Sequence, residues 1–128
     1  MSTPEEVVDE FIRRITSNDV PSALELVAPH VEYDNVPMGK NIGPEAMAEF
    51  LGGMANGVSE IEFVVHRQVA VGGTVMNERS DRFLIGGTWL DLPVAGVFEV
   101  GDDGLITLWR DYFDMATFSD QLTAILGG

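Results

Sequence analysis

Apolar positions follow two different periods along this chain. Near the start, Val7, Val8, Phe11, Ile12 and Ile15 recur at helical spacing. Thr3, Pro4 and Glu6 in front of them make a capping-box start with Pro at the first helical position. Asn18-Asp19 breaks the pattern and can cap a short second helix through Ala23, Leu24 and Val27, which Pro29 ends. Residues 31–37, "VEYDNVP", read as a short strand. "NIGPEAMAEFLGGMANG" predicts a third helix, opened by Pro44 and closed around Gly57.

From residue 58 onward the period becomes two. "SEIEFVVHRQVAV", "TVMNERSDRFLI", "TWLDLPVAGVFEV" and "LITLWRDYFDM" read as four strands. Gly72-Gly73, Gly86-Gly87 and "GDDG" turn the chain between them. Pro93 suggests an edge strand or a bulge. "TFSDQLTAILGG" closes the chain as a short helix. Consecutive strands joined by tight turns imply an antiparallel sheet. Helices grouped ahead of them imply packing on one face, an α+β domain over 1–128. A strongly curved sheet covered in this way would enclose a cavity.

Composition narrows the function classes. The 45% apolar fraction suffices for one core, and no run is long enough for a membrane span. The acidic start "MSTPEEVVDEF" is not a signal peptide, and there is no cysteine for a disulfide or a thiolate site. These features predict a cytoplasmic protein. With 21 acidic residues against 7 basic, the net charge of −14 repels phosphate backbones and argues against nucleic acid. His30 and His66 are far apart and read as surface residues, so no metal site is expected.

The candidate chemistry lies in polar residues at inward strand positions. Side chains alternate between faces, so Arg79, Asp81, Phe83 and Ile85 share one face of their strand. Trp109, Asp111 and Phe113 share a face of the last strand, and Tyr33 and Asn35 share one opposite Asp34. A charge beside an aromatic core costs several kcal/mol unless it is paired. A guanidinium can fork to two carboxylates, so Asp-Arg-Asp is a natural set. Such a set is either a structural ion-pair network or a functional one.

"EYDNVP", "NERSDRF" and "LWRDYFD", in this order and spacing, resemble the limonene-1,2-epoxide hydrolase family over nearly the whole chain. The resemblance implies a curved, mixed but mostly antiparallel sheet with helices closing a deep pocket, the cone of nuclear transport factor 2 and the ketosteroid isomerases. It implies a homodimer, no cofactor, and a small hydrophobic epoxide, cyclic or terpenoid, opened by water in one step without a covalent intermediate. Asp111 matches the general base, and Tyr33 and Asn35 the residues that hold the water. Asp81 matches the general acid, and Arg79 the bridge between the carboxylates. The chemistry agrees: one carboxyl must be ionised and the other protonated, although both start at roughly pKa 4.

Phe83, Phe113, Met54, Phe118 and Leu126 are candidates for an apolar pocket wall, or else plain core; Trp89 and Trp109 fit either class. Two rival functions stand on the same fold: a ketosteroid-isomerase-like or polyketide-cyclase-like enzyme, and a binding module without catalysis.

Overall fold

Helix α1 (Pro4–Thr16) starts where the sequence predicts it, with Thr3 and Glu6 exchanging capping hydrogen bonds. It buries Val7, Val8, Phe11, Ile12 and Ile15, the apolar face read from the spacing. The computed structural model describes residues 2–127. After α1 come α2 (Val20–Leu24), β1 (Val27–Asn35), β2 (Gly39–Ile42), α3 (Pro44–Ala55), β3 (Val58–Val71), β4 (Thr74–Ile85), β5 (Thr88–Val100), β6 (Ile106–Tyr112) and α4 (Met115–Gly127).

The strands form one open six-stranded sheet in the order β2-β1-β6-β5-β4-β3. β3 to β6 run antiparallel as a meander, and β1 joins β6 in parallel, so the sheet is mixed but mostly antiparallel. Register shifts in β3, between Val58 and Glu60 and between Val65 and Arg67, are bulges of the kind that bend a sheet. α1 and α3 cover one face, where Phe11, Phe98, Met47, Val31 and Trp109 form the main core. α4 covers a second cluster around Leu90, Leu92, Val94 and Phe118.

Two expectations change, and a third holds in a restricted form. α2 ends at Leu24 and not at Pro29, because β1 already begins at Val27 and carries Pro29 within it. Residues 39–42, given no strand in the sequence reading, form β2 against β1, with mostly exposed side chains and hence no period-two signal. Pro93 lies in an interior strand without a register shift. The edge expectation nevertheless holds locally, because residues 88–94 lie beyond the last β5–β6 pair, Ala95–Tyr112, and have no partner on that side.

Candidate active site

Strand parity places the charged residues inside. Asn77, Arg79 and Asp81 of β4 and Asp111 of β6 are all buried, while Glu78 between them is exposed. Arg79 donates from Nε and Nη2 to the two oxygens of Asp81, both at 2.9 Å. Nη2 also reaches Asp111 Oδ2 at 2.8 Å. The remaining nitrogen, Nη1, donates to Asn77 Oδ1 at 2.8 Å. Trp109 Nε1 donates to the other Asp111 oxygen at 2.9 Å. Each nitrogen of the guanidinium therefore has a partner, and the rings of Phe63 and Phe98 lie 5.1 and 6.0 Å from Cζ.

Arg79 sits opposite Val94 in the β4–β5 register, and Asp111 is on the strand beyond, opposite Gly96. The side chain crosses β5 at Gly96. A Cβ there would collide with Arg79 Nη1 and lie 2.9 Å from Asn77 Oδ1 and 2.9 Å from Asp111 Oδ1. Gly96 thus leaves the space in which the cluster closes.

In the parallel β1–β6 ladder, Tyr33 pairs with Trp109 and Asn35 with Asp111. The Tyr33 ring stacks on Trp109 at 4.3 Å between centroids. Asn35 Nδ2 is buried with no hydrogen-bond partner among the described residues. An unsatisfied buried donor costs about 1–3 kcal/mol, so its position asks for a ligand or a water.

Burial and charge set the protonation. Burial pushes the Asp81 carboxyl up to about 6, against the lowering pull of Arg79. Burial also raises Asp111, opposed by Arg79 and by the Trp109 N–H. Burial works against the charge of Arg79, but the two carboxylates outweigh it and hold its pKa above the ordinary value. Tyr33 is raised as well, first by burial and then by the charge of Asp111, and stays neutral. One cation between two carboxyls that both resist ionisation favours a single shared proton, and the pair titrates as a unit.

Tyr33, Asn35, Asp81 and Asp111 line one cavity of about 50 Å³. Its apolar wall includes Phe83, Phe113, Met54 and Phe118 from the sequence-derived set. Leu126 is not part of it: 69% exposed, it borders a neighbouring cavity, because the last turn of α4 lies away from the acids. Trp109 belongs to both core and cavity, whereas Trp89 packs against the Arg82 guanidinium, 4.4 Å from its ring. Sequence reasoning missed Asn77, Gly96, Phe63, Leu92 and Val94. Parity alone puts Asn77 beside Arg79, and the alternation Leu92, Val94, Gly96 marks the inner face of β5. His30 and His66 are exposed, and no group of three or more His, Cys, Asp or Glu among the described residues is placed to hold a metal.

The fold is the one shared by proteins like nuclear transport factor 2 and the SnoaL-like cyclases. A putative SnoaL-like polyketide cyclase from Shewanella putrefaciens superimposes with a TM-score of 0.86 over 97% of this chain and 98% of its own, at 18% identity, a likeness of fold alone. The family model of the limonene-1,2-epoxide hydrolase catalytic domain matches residues 2–124, and the chain belongs to that family. It is 37% identical to the epoxide hydrolase EphG of Mycobacterium tuberculosis over 108 residues, 84% of this chain and 71% of the relative. It is also similar to the structure of a limonene-epoxide-hydrolase-like enzyme from M. tuberculosis, with a TM-score of 0.80 at 34% identity, covering 94% of this chain and 90% of the other. Among the described residues no helix is long and apolar enough to cross a membrane.

Proposed function

We propose that this protein is an epoxide hydrolase of the limonene-1,2-epoxide type, converting a hydrophobic epoxide and water into a vicinal diol in one step. The observation that carries the reading is the pairing of Asn35 with Asp111, with Asn35 Nδ2 unpartnered in the same cavity. An amide donor, a neutral phenol and a carboxylate can hold one water by its oxygen and a hydrogen.

Asp111 takes a proton from that water as its oxygen attacks an epoxide carbon. The carbon–oxygen bond of the ring breaks, and Asp81 gives its proton to the leaving oxygen. Push and pull act together, so neither hydroxide nor a free alkoxide forms. Arg79 touches both carboxyls through Nη2 and accommodates the negative charge as it passes from Asp111 to Asp81. The cycle closes when a proton returns from Asp111 to Asp81, through solvent or along the Arg79 bridge. No step calls for a cofactor.

An isomerase-like or cyclase-like reaction needs a carboxylate free to take a proton from carbon. Both carboxyls here are bound to Arg79, which favours the hydrolase. A homodimer is part of the proposal. The outer sheet face exposes Val69, Val71, Met76 and Tyr112 together, an apolar surface suited to a second copy. Light scattering on the purified protein tests it.

The reaction is tested by hydrolysis of limonene-1,2-epoxide and cyclohexene oxide in ¹⁸O-water, for wild type and Asp111→Asn. Label in the diol after a single turnover, with the variant inactive and folded, supports direct attack by water. A first-turnover diol without label would mean a covalent intermediate, and a wild-type rate in the variant would remove Asp111 from the mechanism.

A further inference from the structure

Arg79 Nη1 opens a chain of hydrogen bonds that leads away from the acids and ends at the surface. Asn77 Oδ1 accepts from Nη1 at 2.8 Å, and Asn77 Nδ2 donates to Gln68 Oε1 at 3.0 Å. Gln68 Nε2 then donates to Oδ1 of Asp9 on α1, also at 3.0 Å. A guanidinium only donates and a carboxylate only accepts, so the two amides between them have one orientation each. Asn77 is buried, Gln68 half-buried and Asp9 exposed.

A bulge in β3 builds the link. Before it, Phe63 stands opposite Asp81 and Val65 opposite Arg79. After the shift between Val65 and Arg67, Gln68 stands opposite Asn77. Cross-strand partners share a face, so the extra residue turns Gln68 to the side of Arg79. In an unbroken register Arg67, a second cation, would stand there instead.

We infer that Asn77, Gln68 and Asp9 are positioning residues that hold the Arg79 guanidinium in the orientation from which Nη2 bridges both acids. The inference rests on the epoxide hydrolase reading and extends its site toward α1. Nε and Nη2 form a fork to Asp81, whereas Asp111 is reached by Nη2 alone. With Nη1 free, the guanidinium pivots on the Asp81 fork and loses Asp111. The bond to Asn77 opposes that pivot, and Gln68 and Asp9 fix Asn77 from behind. Neither Asn77 nor Gln68 lines the cavity, so the tether bears on turnover and not on substrate binding.

The test measures kcat and KM for limonene-1,2-epoxide and cyclohexene oxide in Asn77→Leu, Gln68→Leu and the double variant. Asn77→Leu lowers kcat by roughly a hundredfold and Gln68→Leu by roughly tenfold, both at nearly unchanged KM. The double variant is no slower than Asn77→Leu, because Gln68 acts through Asn77; losses that multiply overturn the shared path. Where Asn77→Leu does not fold, Asp9→Ala at its exposed position replaces it in the cycle, and the double variant is then no slower than Gln68→Leu. Carbon-13 NMR titration of the Asp81 and Asp111 carboxyls gives a readout without substrate. The titratable groups facing Asp81 are Arg79, Asp111 and Tyr33, while β3 and β5 set Phe63 and Leu92 opposite it. Arg79 lowers both carboxyls, so loosening it in Gln68→Leu moves their titration to higher pH. Wild-type kcat and an unmoved titration in Gln68→Leu overturn the tether and leave the hydrolase standing. Failure of wild type to open either epoxide overturns the hydrolase reading, and the titration alone then decides the tether.

Discussion

Arg79 reaches Asp111 over the bare backbone of Gly96, one strand away from its own. The crossing is possible because position 96 has no side chain. Gly96→Ala therefore forces the guanidinium or its partners to shift. Overpacking of this kind costs roughly 1–3 kcal/mol, and turnover falls with it because the cluster is displaced. Thermal unfolding and hydrolysis rates together check this; a variant equal to wild type in both would show that the cluster has slack.

Arg79→Ala strips the cation from two buried carboxyls. Removing one partner of a buried ion pair costs about 3–5 kcal/mol where the survivors stay charged. Here they can take up protons instead, so the loss is largest at pH 8 and shrinks toward pH 4. Denaturant unfolding at both pH values gives the answer. A loss of equal size at both would mean that the carboxyls do not titrate with the cluster.

Asp81 carries a pH signature of its own. Its folded pKa, raised to about 6, lies above the ordinary 3.8, so the folded protein binds that proton more tightly than the unfolded chain does. The stability it contributes is fully present below about pH 4 and is lost as pH rises through about 6. Asp81→Asn removes this dependence. Relative to wild type the variant gains roughly 2 kcal/mol between pH 4 and pH 7, and less where Asp111 shares the proton. A constant difference across that window would contradict the raised value. In the same pH range kcat/KM of wild type declines on the alkaline side as the shared proton leaves the pair.

Asn35→Ala separates function from stability. The Asn35 Nδ2 group has no partner to lose, so the variant should fold within about 1 kcal/mol of wild type. Turnover should fall by roughly a hundredfold if that donor orients the attacking water. A large loss of stability with little loss of rate would assign Asn35 to the fold and not to the reaction.

Much of this site was legible in local pattern. A strand turns alternate side chains to opposite faces whatever its neighbours are, so Arg79 with Asp81, Trp109 with Asp111, and Tyr33 with Asn35 could be placed on common faces from residue order. The α1 face and its capping box were equally local, since helix period and cap chemistry involve residues three or four apart. What lay beyond reach depended on contacts between segments distant in the chain. The parallel pairing of β1 with β6 brings Asn35 to Asp111 across 76 positions of sequence, and the β4–β5–β6 register puts Gly96 beneath Arg79. β2 has no apolar alternation, and backbone pairing with β1 alone makes it a strand. Leu126 and Phe118 are both apolar residues of α4, yet only Phe118 reaches the acids, because the packing direction of a helix is set by the surface that receives it. Periodicity is a property of the backbone and travels with the sequence; register and cavity shape arise when separate elements compete for the same apolar surface, and only the folded chain resolves that competition.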